Sequence, residues 1–204
     1  MELVLTPRVR FLRGLADEIM HNYGRGRTIV AIDGALQSGK TAFGDDLAAV
    51  LEERKHPVFR ASLEWFHRSR EEQAKFGEDT AERYYRYGFD YSLLRRVLVE
   101  PFRMGGSTGF VTKAFDPRRG IQVLPKWETG PIDATLIIDG RFINRPELRG
   151  LWNYSVFLDS APVGGPDGDA DRLYFAEASP RTQATAIIDN SEPAMPRRLF
   201  ADSC

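Results

Sequence analysis

Residues 34–41 read Gly-Ala-Leu-Gln-Ser-Gly-Lys-Thr and satisfy the pattern G-x-x-x-x-G-K-[ST]. No other stretch constrains the chain as tightly, because this pattern does chemistry only between a strand and a helix. Thr28-Ile29-Val30-Ala31-Ile32-Asp33 before it reads as a buried strand, and Phe43 to Leu51 after it reads as a helix that ends near Arg54. In that setting Gly34, Ala35, Leu36, Gln37, Ser38 and Gly39 form a backbone cradle for phosphate, and the helix N-terminus turns further N–H groups toward the anion. Lys40 reaches the β- and γ-phosphates, and the Thr41 hydroxyl ligates Mg²⁺. The competing account is a plain strand-to-helix turn with incidental glycines, and it leaves the match at all four fixed positions unexplained.

The remaining pattern alternates strands and helices, which implies an α/β fold with a parallel sheet and crossover helices. Thr6-Pro7 opens an N-terminal helix that ends before Asn22-Tyr23-Gly24 and lies outside the sheet, within residues 1–26. Pro57 to Leu63 reads as a second strand, Ser69 to Lys75 as a helix, and Tyr91 to Val99 as a helix stopped by Pro101. Residues 104–131 read as a β-hairpin excursion, with strands at Phe110–Phe115 and Ile121–Trp127 around the turn Asp116-Pro117-Arg118-Arg119-Gly120. Ala134–Ile138, Tyr154–Leu158 and Thr185–Ile188 complete the strands, and Ala170–Ala178 is a short helix. One domain covers residues 1–204.

Bulk properties remove several classes of function. The net charge of -1 gives no electrostatic footprint for nucleic acid, and no apolar run approaches a membrane span. Arg95-Arg96, Arg118-Arg119 and Arg197-Arg198 read as solvated surface, or one pair helps neutralise a substrate phosphate. Cys204 is the only cysteine and no signal-peptide pattern opens the chain, which suits the cytoplasm. His21, His56 and His67 lack metal-ligand spacing, so no zinc site is expected. No Asn-Lys-x-Asp guanine signature and no ABC-type signature occurs.

Two carboxylates fall at strand ends. Glu64, after the second strand, faces the phosphate loop across the site; it either takes the proton of a substrate hydroxyl, helps hold Mg²⁺ through water, or is a surface glutamate. Asp139 ends the strand expected beside the first one, where a Walker B carboxylate organises Mg²⁺; the bland alternative is a capping aspartate before Gly140.

Several segments together resemble the uridine kinase-like branch of P-loop kinases, near phosphoribulokinase and bacterial pantothenate kinase. They are Val30–Gly34 running into the loop, Glu64-Trp65-Phe66-His67, Tyr84-Tyr85-Arg86-Tyr87-Gly88-Phe89-Asp90, Ile137–Gly140 with Arg145-Pro146-Glu147-Leu148-Arg149, Arg172-Leu173-Tyr174 and Ile188-Asp189-Asn190. The resemblance implies a three-layer P-loop NTPase fold and transfer of phosphate from ATP, with Mg²⁺, to a small-molecule hydroxyl, a nucleoside such as uridine first. It puts Glu64 at the position of the family's catalytic aspartate, His67, Tyr84, Tyr85, Asp90, Phe115 and Asp116 in the acceptor region, and Asp189 and Asn190 in the loop that approaches adenine. A homodimer is compatible with it. The chain departs from the family pattern at Glu64, Trp65 and Tyr87. It also departs between Asp159 and Arg172, where the Arg-rich lid is shortened (residues 160–172) and leaves Arg172 as the arginine to act on the phosphoryl group. A nucleotide-binding protein with weak catalysis, or a kinase for a sugar or vitamin precursor, are the alternatives.

Overall fold

Thr6 Oγ1 accepts the Val9 N–H and starts helix α1 (Pro7–Tyr23) in the computed structural model of the chain, which describes residues 2–200. Strand β1 (Thr28–Gly34) follows, and the loop after it feeds α2 (Lys40–Glu53). Next come β2 (Val58–Ser62) and a 3₁₀ turn at Leu63–Phe66. Helix α3 (Arg70–Ala74) is set by a Ser69/Glu72 capping box. Helices α4 (Ala81–Tyr87), α5 (Tyr91–Leu94) and α6 (Glu100–Met104) follow. The excursion carries β3 (Phe110–Val111), β4 (Phe115–Asp116), β5 (Ile121–Gln122) and β6 (Trp127–Glu128). The chain returns through β7 (Thr135–Asp139), β8 (Tyr154–Asp159), α7 (Asp169–Ala178), α8 (Pro180–Gln183), β9 (Ala186–Asp189) and β10 (Arg197–Leu199).

The central sheet has the order β10-β9-β8-β1-β7-β2, and every neighbouring pair is parallel except β9–β10. Alternate residues of β1 serve opposite faces. Ile29 and Ala31 join the core under α4–α6, whereas Val30 and Ile32 join the core under α1 and α2. This two-sided burial is why the strand reads as a continuous apolar run. The register pairs Ile32 and Ser62 with Asp139, so that carboxylate lies level with the C-terminal ends of β1 and β2. Among the described residues no helix is long and apolar enough to cross a membrane.

Four local expectations change. Pro101 does not stop the helix after Tyr91. A π-helical turn at Arg95–Val99 intervenes, with the Glu100 N–H bonded to the Arg95 carbonyl, and Pro101 lies in the first turn of α6, where its missing N–H costs nothing. The hairpin forms but is not continuous: β3 pairs β6 and β4 pairs β5, with one extra residue on the returning strand between them. Helix α4 forms on a segment for which the sequence predicts no element, started by the Thr80 hydroxyl accepting the Arg83 N–H. The antiparallel edge strand β10 was read as solvated arginine, yet Arg198 pairs with Glu18 of α1.

Candidate active site

Gly39 is the N-cap of α2 with φ 83°, and a Cβ there would come within 2.8 Å of Asn190 Nδ2. Both the left-handed backbone and the close approach require glycine. Asn190, buried after β9, donates from Nδ2 to the Ser38 carbonyl at 2.9 Å and accepts from Arg8 Nη1 at 3.2 Å. Asn190 thus braces the loop from behind. Asp189 instead accepts from the Ser191 N–H at 2.9 Å and its hydroxyl at 2.6 Å, which hold its carboxyl below the usual range. Gln37 has φ 64°, a conformation that costs a side-chain-bearing residue about 1–2 kcal/mol. Gln37→Gly is therefore expected to stabilise the free protein by about 0.5–1 kcal/mol after its own entropy cost. The check is a melting temperature raised by about 1–4 °C; an unchanged or lowered value would show that the Gln37 side chain makes up the difference.

Lys40 begins α2 and folds back on the loop, with Nζ donating to the Ala35 carbonyl at 2.6 Å and to Ser38 Oγ at 3.4 Å. Burial pushes its pKa down, against the opposing pull of Asp33 and Asp171. The Thr41 hydroxyl donates to Asp139 Oδ2 at 2.8 Å, and Arg60 Nη2 donates to Asp139 Oδ1, also at 2.8 Å. One oxygen of Asp139 is thereby committed to Arg60 and the other is shared with Thr41. A hydroxyl and a carboxylate side by side beneath a glycine-shaped cradle are the hard oxygen donors that fit Mg²⁺ on a nucleotide.

Under the loop, Asp33 is fully buried. Its carboxylate accepts from Gly34 N at 2.8 Å, Asn144 N at 3.1 Å, Asn144 Nδ2 at 2.8 Å and the Tyr174 hydroxyl. Burial outweighs these donors and raises its pKa to about 6 from 3.8. The folded state therefore holds the proton more tightly than the unfolded chain. Stability from this group is full below about pH 4 and is lost as pH rises through about 6. Relative to Asp33→Asn, the wild type should lose on the order of 2–3 kcal/mol across that window. Urea denaturation at a series of pH values measures it, and a relative gain with rising pH would contradict the raised pKa.

A cavity of about 450 Å³ opens over the loop, lined by Lys40, Thr41, Glu64, Tyr84, Asp139 and Arg141 among others. Glu64 does face the loop across this cavity, and its Oε2 lies 3.3 Å from His67 Nε2. The same His67 nitrogen is 3.3 Å from the Tyr84 hydroxyl, whose pKa is raised by burial and by the Glu64 charge. Tyr85, Asp90, Phe115 and Asp116, also expected near the acceptor, are not among the residues that line this cavity. Tyr85 is 1 % exposed and packs on Phe142 and Tyr174 in the core, because one step along a helix turns a side chain by about 100°. Asp90 caps α5 by accepting the Leu93 N–H at 2.9 Å. Phe115 stacks behind His67 with ring centroids 6.0 Å apart, and Asp116 closes the hairpin turn on the Arg118 N–H at 3.0 Å. Arg172 does not line the cavity. It binds Asp169 and the carbonyls of Val163 (3.2 Å) and Gly165 (3.0 Å), fastening its own loop.

Arg141 is the cavity residue the sequence did not reveal. Its Nε and Nη2 both lie 3.0 Å from Asp171 Oδ1, and its guanidinium covers the Tyr84 ring at 5.2 Å. Asp171 in turn accepts the Leu36 N–H of the loop on Oδ2 at 2.8 Å. A signal was present only as an arginine directly after the strand-end Asp139-Gly140; its partner Asp171 lies 30 residues on.

No family model matches the chain, and no curated protein matches it. Among solved structures, a possible uridine kinase from Bacillus stearothermophilus superimposes with a TM-score of 0.74 at 21% identity, over 88% of this chain and 96% of the other. A candidate fructose transport system kinase from Silicibacter sp. TM1040 superimposes with a TM-score of 0.60 at 22% identity, over 84% and 88%. The chain shares with them an α/β fold with a mostly parallel sheet flanked by helices. The resemblance read from the sequence is thus met at the level of fold.

Proposed function

We propose that the protein is an ATP-dependent kinase that phosphorylates a hydroxyl of a small metabolite. The observation that carries this is a single cavity lined at once by Lys40, Thr41, Asp139 and Glu64. Lys40 releases the Ala35 carbonyl and binds the β- and γ-phosphates, helped by the loop N–H groups. Thr41 and Asp139 would hold Mg²⁺, which would neutralise charge on the β- and γ-oxygens. Glu64, oriented by His67, accepts the acceptor proton as the acceptor oxygen attacks. Tyr84 offers a ring wall and a hydroxyl for orienting that acceptor.

A nucleoside of the uridine type is the first acceptor to test. A sugar is the next, since one structural neighbour is described as a possible uridine kinase and the other as a candidate fructose transport system kinase, and a vitamin precursor such as pantothenate follows. The experiment is ADP release from ATP-Mg²⁺ with nucleosides, sugars and pantothenate supplied in turn. Acceptor-dependent release with one of them supports the proposal, and none with any would sink it. A second account, nucleotide binding with weak or no turnover, draws on the short 160–168 loop, whose carbonyls occupy the nearby Arg172 of α7. It predicts a nucleotide-raised melting temperature without release.

A further inference from the structure

We infer that Arg141, two residues beyond β7, is a catalytic residue that contacts the transferring phosphoryl group, and that Asp171 is the positioning residue that aims it. The inference rests on the kinase proposal above and adds to it the source of the positive charge that the short loop does not deliver. Four observations carry it. Arg141 lines the same cavity as Lys40, Thr41 and Glu64, whereas Arg172 is turned into its own loop. Its guanidinium is already immobilised by Asp171 on one edge and by the Tyr84 and Phe142 rings at 5.2 and 4.8 Å, so engaging an anion orders little that is not ordered. Nη1 has neither a carboxylate nor a carbonyl partner among the described residues; the Tyr84 hydroxyl is the polar neighbour on the cavity side of the guanidinium, and an incoming phosphoryl oxygen would take its place or share the guanidinium with it. Asp171, 0 % exposed, holds Arg141 on one oxygen and the Leu36 N–H on the other, so one carboxylate fixes the arginine relative to the phosphate loop.

In the step itself the bond from the γ-phosphorus to the β–γ bridging oxygen breaks and the bond to the acceptor oxygen forms. The acceptor proton passes to Glu64, and ADP leaves with the bridging oxygen. Arg141 makes and breaks no covalent bond; its charge meets the oxygens of the phosphoryl group in flight.

Calorimetric titration with Mg-ADP, with and without fluoroaluminate as a phosphoryl mimic, tests this without knowledge of the acceptor. The wild type is expected to bind the fluoroaluminate complex at least about tenfold tighter than Mg-ADP. Arg141→Gln should bind Mg-ADP within about twofold of wild type and lose that tightening. If Arg141→Gln does not fold, Arg141→Lys, which keeps a charge beside Asp171, should show the same split, because an ammonium cannot hold Asp171 and reach the phosphoryl together. Asp171→Asn should keep Mg-ADP affinity and lose part of the tightening; equal loss of both would reduce Asp171 to a structural role. Full tightening in the Arg141 variants, or none in the wild type, overturns the assignment while the kinase proposal stands. A wild type that does not bind Mg-ADP sinks the kinase proposal instead.

Discussion

Lys40→Met is expected to lower phosphoryl transfer by roughly 10²–10³-fold while leaving the fold at least as stable. The two halves have one cause. In the free protein the half-buried Lys40 ammonium has two protein acceptors, the Ala35 carbonyl and Ser38 Oγ, for three N–H donors. Burial disfavours its charge, as the lowered pKa records. An apolar side chain of similar length removes that cost. What it cannot do is meet the β- and γ-phosphates, so the melting-temperature rise produced by ATP or ADP should shrink with the activity. Parallel thermal melts with and without nucleotide check both halves. A variant that retains the full nucleotide-dependent rise would place the phosphates somewhere other than this loop.

Glu64→Gln is the second large effect: a kcat lower by roughly 10²–10⁴-fold with nucleotide affinity changed less than about twofold. The amide keeps the size of the side chain and a contact with His67, but it cannot take up a proton. Glu64 lies on a 3₁₀ turn beyond β2, across the cavity from Lys40, so its loss leaves the phosphate cradle untouched. The measurement is steady-state kinetics with the acceptor found by screening. An unchanged kcat would remove Glu64 from the chemistry, and a raised KM for ATP alone would make it part of the nucleotide site.

These expectations were legible to different depths in the sequence. Lys40, Thr41 and Asp139 could be read because each is tied to a local pattern: a fixed spacing within the loop, or the last residue of an apolar strand. Arg141, Asp171 and the bracing role of Asn190 could not, because each acts through a partner 30 or more residues away. Tyr84 and Tyr85 show a third case. Both aromatics were visible, but the phase of α4 decides which one faces the cavity, and that helix has no long apolar stripe to reveal its phase. Pro101 misled because proline ends most helices. Here the π turn before it places Pro101 where no helical N–H is required. Arg172 drew attention by its position after the short loop, while its side chain serves that loop.

The Asn190 amide has a consequence for how the protein is made. A motif of eight consecutive residues receives one of its supports from a residue 152 positions downstream, which is itself joined to Arg8 in the first helix. A chain still on the ribosome, or cut short before β9, carries the whole phosphate-loop sequence without the side chain that holds the Ser38 carbonyl. The loop is synthesised well before the residue that completes it, and nucleotide can reward folding fully only once Asn190 and Arg8 have met behind it.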